Sequence, residues 1–122
     1  MPGIDRDQQE SYPHGRIDLF ARVTIFQAAP DSVDGPIRFS VRRASQGVEE
    51  LTGFLGLFDL SDRGTGHSVI VTLWATKEAR DSSAEFARNA TKRVAEAGDE
   101  QVISMRDYEV GHHVLSPDFP TS

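Results

Sequence analysis

The sequence predicts an α+β fold whose elements run strand, helix, strand, strand, helix, strand (β-α-β-β-α-β). Three observations carry this. The hydrophobic period changes five times between Phe20 and Val110, between strand-like and helix-like spacing. The second and third strands are separated only by Ser61-Asp62-Arg63-Gly64-Thr65-Gly66, a turn cluster that suits a hairpin. The chain has 122 residues, 38% apolar and 26% charged, which fits one globular domain.

Residues 1–18 read as a polar arm punctuated by Pro2, Gly3, Pro13 and Gly15. The domain then occupies 19–112, and 113–122 is a second tail with Pro117 and Pro120. Phe20-Ala21-Arg22-Val23-Thr24-Ile25-Phe26 is β-branched and aromatic, hence a strand. Val33, Ile37, Val41, Ala44, Val48 and Leu51 recur three or four apart, which is one face of a helix. Asp31 or Asp34 is placed to cap it, and Gly47 to break or bend it. Thr52-Gly53 ends that helix, and Phe54 to Leu60 is the second strand. Ser68 to Trp74 is nearly continuous in apolar residues, so it belongs in the middle of the sheet. Thr76 is the N-cap of a second helix, with a stripe of Ala79, Ser83, Phe86, Ala87, Ala90, Val94 and Ala97 that stops at Gly98. Val102 to Val110 is the fourth strand.

This order is the split βαβ, or ferredoxin-like, arrangement, a four-stranded antiparallel sheet with both helices on one face. Right-handed crossovers place the first and third strands centrally. Two helices cover one side only, yet neither side is polar. Ala21, Val23 and Ile25 oppose Phe20 and Phe26; Val69, Val71 and Leu73 oppose Ile70 and Trp74; Leu55 and Leu57 oppose Phe54, Phe58 and Leu60. Four large side chains on the uncovered face represent on the order of 6–12 kcal/mol of burial. The expectation is a homodimer, sheet against sheet.

Thirteen Lys and Arg against nineteen Asp and Glu give a net charge of −6, which argues against a nucleic-acid partner. The third strand also lacks the basic and aromatic signature of RNA-recognition domains, which share this element order. No cysteine is present, so disulfides and thiol nucleophiles are excluded. No apolar run approaches a membrane span, and Met1 to Asp7 show no secretory pattern, so the cytoplasm is the expected compartment. His14, His67, His112 and His113 show no metal-ligand spacing; neither a metal nor another cofactor is expected.

The stretch Leu51-Thr52-Gly53-Phe54-Leu55-Gly56, followed by Val69 to Ala79, resembles the antibiotic biosynthesis monooxygenase-like family of the dimeric α+β barrel superfamily. The shared features are a Gly-Phe opening the second strand (Gly53-Phe54), a strand ending in Trp74, the Thr76 cap and the pair Glu78-Ala79; the likeness spans about Phe20 to Val110. The resemblance implies a homodimer of ferredoxin-like subunits, each with a pocket between sheet and helices. It also implies cofactor-independent monooxygenation of a small aromatic or polyketide-like substrate; the alternative is a non-catalytic module binding a small hydrophobic molecule or haem. Quinone-forming members carry an Asn four residues before the strand-end Trp and a Tyr six after it. Those positions are Ile70 and Arg80 in this chain, so no catalytic residue is assigned. Haem-degrading members hold iron with a His on the second helix, and Lys77 to Ala97 contains none.

The candidate ligand contacts are Trp74, Arg22, Thr24, Phe86 and Tyr108. Trp74 is either a core aromatic or a stacking wall. Arg22, on a central strand, needs a partner, with Asp107 and Glu109 available on the last strand; alternatively it holds a ligand oxygen. Phe86 lies on the apolar stripe and fits the core. Tyr108 points away from Asp107 and Glu109, together with Val102 and Val110, either into the pocket or at the dimer seam.

Overall fold

The computed structural model describes residues 19–28, 41–98 and 100–119. The arm at 1–18 and the first half of the first helix, with Asp31, Val33, Asp34 and Ile37, lie outside them. Four strands form one antiparallel sheet: β1 (Leu19–Gln27), β2 (Phe54–Asp62), β3 (His67–Trp74) and β4 (Gln101–Val110). Their order is β2-β3-β1-β4, so the first and third strands are central. The first helix persists over 41–44 and tightens into a 3-10 turn at Val48–Glu50. Gly47 breaks it with φ 91°, a left-handed conformation that glycine adopts without steric cost. The second helix is divided into α1 (Lys77–Ser82) and α2 (Ala84–Gly98). Thr76 caps α1, its hydroxyl accepting from Ala79 N–H at 3.0 Å. These elements are the ferredoxin-like fold that the sequence predicts. No helix among the described residues is long and apolar enough to cross a membrane.

Residues directly paired across an antiparallel sheet point to the same side. Phe20, Arg22, Thr24 and Phe26 therefore share the helix-covered face with Ser68, Ile70, Thr72 and Trp74. On β2 that face holds Phe54, Leu57 and Asp59, because the register slips between Phe54 and Gly56. This bulge corrects the sequence expectation for β2. Leu57 turns inward with Phe54, whereas Phe58 and Leu60 turn outward. A second slip, opposite Ile25 and Phe26, brings Val102 inward, away from the Tyr108 set.

The outer face is more apolar than the covered one. It carries Ala21, Val23 and Ile25 on β1, Val69, Val71 and Leu73 on β3, and Phe58 and Leu60 on β2. On the edge strand Phe58 is 41% exposed and Leu60 53%, whereas on the central strands Ala21 is buried and Val23, Ile25, Val69, Val71 and Leu73 are half-buried. Beneath the helices, two apolar clusters form. One joins Phe26, Ala28, Val41, Ala44 and Val94; the other joins Val48, Trp74 and Ala79, with Phe20, Leu51, Phe54, Leu57 and Phe86 packed against it. Gly53 lets α1 approach, since a Cβ there would lie 2.5 Å from the Ala79 Cβ.

Glu100, between α2 and β4, is only 7% exposed, and neither carboxylate oxygen has a hydrogen-bond partner. Burial pushes its pKa up from 4.5 to about 7, and nearby Asp59 adds to the rise. The folded state thus holds a proton that the unfolded chain has released. The stability is fully present below about pH 4.5 and is lost as pH rises through about 7. The loss is on the order of 3 kcal/mol. Glu100→Gln is expected to remove this slope and to exceed the wild type in thermal stability at pH 8. Melting curves from pH 5 to 8 check this; a flat wild-type profile would contradict it.

Candidate functional site

Between the two clusters lies a cavity of about 60 Å³, bounded by the inner face of β1, β2 and β3, by α2 and by the helical segment at 41–48. Its walls are mostly apolar, including Phe26, Val48, Leu57, Ile70, Trp74, Phe86 and Val94. Its polar groups are Arg22, Thr24, Ser45, Thr72, Ser83 and Thr91. Arg22 is the one charged residue among the described lining residues.

Strand alternation puts Arg22 on the inner face, opposite Thr72 on one neighbour and Asp107 on the other. Its Nε donates to Asp107 Oδ1 at 2.9 Å, its Nη1 to Ser83 Oγ at 2.7 Å and its Nη2 to the Arg80 carbonyl at 2.9 Å. The expected ion pair is therefore with Asp107. Glu109 stands across from Phe20 and is exposed. A guanidinium has five N–H groups in a fixed fork, and three are directed this way. Ser83 Oγ also donates to the Arg80 carbonyl at 2.6 Å, so the break between α1 and α2 is held by Arg22 from below.

Trp74 is buried, and its indole N–H donates to Thr72 Oγ1 at 3.0 Å. Phe54 meets it edge-on, with ring centroids 5.6 Å apart. Arg80 is buried too, and its Nε lies 3.7 Å from Asp107 Oδ2, so the two arginines share that carboxylate. Arg80 also donates through Nη1 to the Tyr108 carbonyl at 2.9 Å and through Nε and Nη2 to Asp81 Oδ1 at 3.1 Å, with its guanidinium 5.5 Å from the Phe20 ring centroid. Lys77, 2.8 Å from Asp81, and then Arg80 hold that carboxyl below its ordinary range.

Of the five residues singled out from the sequence, Arg22, Thr24, Trp74 and Phe86 line this one cavity. Tyr108 does not. It pairs with Ala21, on the outer face, and its side chain is exposed. Ile70, at the position of the family Asn, is in the wall, while Arg80, at the Tyr position, is not. Sequence reasoning missed the part of Thr72 and Ser83. The available signal was a hydroxyl on the Trp74 face two residues earlier, and a serine interrupting an apolar stripe. The lining contains no carboxylate and no imidazole among the described residues.

No family model and no curated protein matches the sequence. Solved structures do match in fold. SnoaB, a cofactor-independent oxygenase from Streptomyces nogalater, is 16% identical with a TM-score of 0.56, over 83% of this chain and 99% of that one. A candidate antibiotic biosynthesis monooxygenase from Chloroflexus aurantiacus is 14% identical with a TM-score of 0.55, over 80% and 99%. A dimeric ferredoxin-like protein from an uncultured marine organism is 9% identical with a TM-score of 0.57, over 82% and 94%. The chain thus carries the ferredoxin-like fold seen in structures of antibiotic biosynthesis monooxygenase-like proteins, the fold its sequence resembles.

Proposed function

We propose that this chain is a cytoplasmic homodimer whose cavity takes a small, oxygen-bearing aromatic molecule and oxidises it in the manner of a cofactor-independent monooxygenase. The observation that carries this is the juxtaposition of one guanidinium with an otherwise apolar wall. Arg22 is suited to stabilise a phenolate or enolate oxygen, while Trp74 and Phe86 flank the ring. With no base in the described lining, the substrate's own acidity must supply the carbanion, its proton passing to water. The anion reduces O₂, and an activated methylene becomes a carbonyl: R₂CH₂ + O₂ gives R₂CO + H₂O. Thr24 and Thr72 supply hydroxyl groups for orientation. One fold neighbour, SnoaB, is a cofactor-independent oxygenase, which supports the reaction class.

Size sets the substrate. A cavity of about 150 Å³ holds benzene, whereas this one is about 60 Å³. The wall must therefore open to admit even one ring, and a single-ring compound fits better than a polycycle. Haem is disfavoured, since α1 and α2 carry no histidine to ligate its iron and the wall would have to open much further than for one ring. The second reading, binding without turnover, is favoured by the absence of a proton acceptor in the described lining.

The test is oxygen uptake with single-ring phenols bearing an activated methylene, alongside calorimetric titration of the same compounds. Uptake of one O₂ per substrate, lost in Trp74→Ala while the variant stays folded, is the expected result. Binding without uptake selects the second reading, and neither binding nor uptake overturns both.

A further inference from the structure

Thr72 stands directly across from Arg22, and Thr24 is the next inner-face residue along β1. Residues paired in this way lie about 5 Å apart, and alternate residues of one strand about 7 Å. The three therefore form one polar patch, and all of them line the cavity. The hydrogen bonds of this patch are one-sided. An indole N–H can only donate, so the 3.0 Å contact from Trp74 Nε1 occupies a lone pair of Thr72 Oγ1 and leaves the Thr72 O–H to donate elsewhere. Neither that O–H nor the Thr24 hydroxyl has an acceptor among the described residues. On Arg22, Nη1 and Nη2 each keep one N–H beyond those given to Ser83 and the Arg80 carbonyl. Charge has the same sense. Arg22 and Arg80 share Asp107, and Arg80 and Lys77 share Asp81, so cations outnumber carboxylates in this cluster.

We propose that Thr72 is a specificity-determining residue of the cavity, and that the ligand is held as an aromatic anion whose ring oxygen accepts from Thr72 Oγ1 and the Arg22 guanidinium. This rests on the cavity reading above and narrows it, because a patch of unused donors beside a cation selects an acceptor over a hydroxyl that must itself donate. Trp74 is then a positioning residue. Its N–H fixes which way the Thr72 hydroxyl faces, and a hydroxyl that accepts one hydrogen bond donates a stronger one. Thr24 adds a further donor to the patch.

The probe is 4-nitrophenol, a single ring that ionises near neutrality and absorbs differently as the phenolate. Spectral titration with and without the full chain, from about pH 5 to 9, reads its pKa bound and free. No group of the described lining titrates in that range. The sign of the shift decides. Burial in an apolar cavity raises the pKa of a phenol, whereas donors and a cation on its oxygen lower it. The expected result is a lowering by about one unit, which is phenolate held about 10-fold more tightly than phenol. Thr72→Val, close in shape but without the hydroxyl, is expected to bind phenolate about 10-fold more weakly, and Thr72→Ser to restore it. Trp74→Phe keeps a ring and removes the N–H; it is expected to shrink the shift, which a purely packing role would leave unchanged. Melting curves check that each variant is folded. A bound pKa that is raised or unchanged overturns the anion preference. A wild-type shift in Thr72→Val overturns the role of Thr72, and one in Trp74→Phe overturns the positioning. No binding of the probe by the wild type overturns the proposal as a whole, while oxygen uptake with the methylene-bearing phenols still decides the oxidation separately.

Discussion

Arg22→Ala is expected to cost about 3 kcal/mol of folding stability and to lower the melting temperature by about 10 °C. The side chain is buried and bridges three elements at once: β4 through Asp107, and the α1 and α2 junction through Ser83 and the Arg80 carbonyl. Removing it strands acceptors that were built around a cation. Asp107 is 39% exposed, so water recovers part of the loss there, but Ser83 is buried. Arg22→Lys keeps the charge but not the fork, and should fall between the two. Removing Asp107 as well should cost less than removing it from the wild type, because its pair with Arg22 is already gone and only Arg80 Nε, 3.7 Å from its other oxygen, is left to lose. Thermal melts of the four proteins settle the point; a loss below about 1 kcal/mol for Arg22→Ala would contradict the bracing role.

Val71→Asp is expected to abolish the proposed homodimer while sparing the subunit's topology. Val71 sits on central β3, between Val23 and Phe58, in the middle of the outer face. In a two-fold contact it places two carboxylates into one apolar seam, each needing desolvation and each near its like-charged twin. The dissociation constant should rise by more than about 1,000-fold. Val71→Thr, close in shape and uncharged, should weaken the dimer far less. Sedimentation of both variants measures this; a dimer retained in Val71→Asp would contradict sheet-to-sheet association.

The sequence was legible wherever a strong periodic signal met a local rule. Ser68 to Trp74 reads as central because nearly every residue is apolar, and it is central. Thr76 announces its cap by residue type and place, and its hydroxyl takes the Ala79 N–H. Arg22 on a buried strand required a counter-charge, and alternation left Asp107 and Glu109 as the choices; register then selects Asp107. What escaped the sequence was irregularity. A single inserted residue reverses every later side chain, so the slip between Phe54 and Gly56 reassigns Leu57, and the slip opposite Ile25 and Phe26 reassigns Val102. The division of the second helix also escaped, because the helical spacing of the stripe continues through Ser83 without a Pro or Gly to mark a break. The break depends on Arg22, a residue 61 positions away that bonds the Ser83 hydroxyl. Four cavity residues were legible as individual candidates. Tyr108 was not, because strand parity alone does not say which face the helices cover.

Two findings meet on the outer face. The helices cover the side that carries Arg22, Thr24, Ser68 and Thr72, while the half-buried Val23, Ile25, Val69, Val71 and Leu73 lie on the side turned away from them. A lone subunit with that distribution has its sheet the wrong way round for water. The most direct measurement is sedimentation equilibrium of the wild-type chain from about 1 to 100 µM. A mass of twice 13.5 kDa across the upper part of that range is the predicted result. A mass of 13.5 kDa at every concentration would contradict the account.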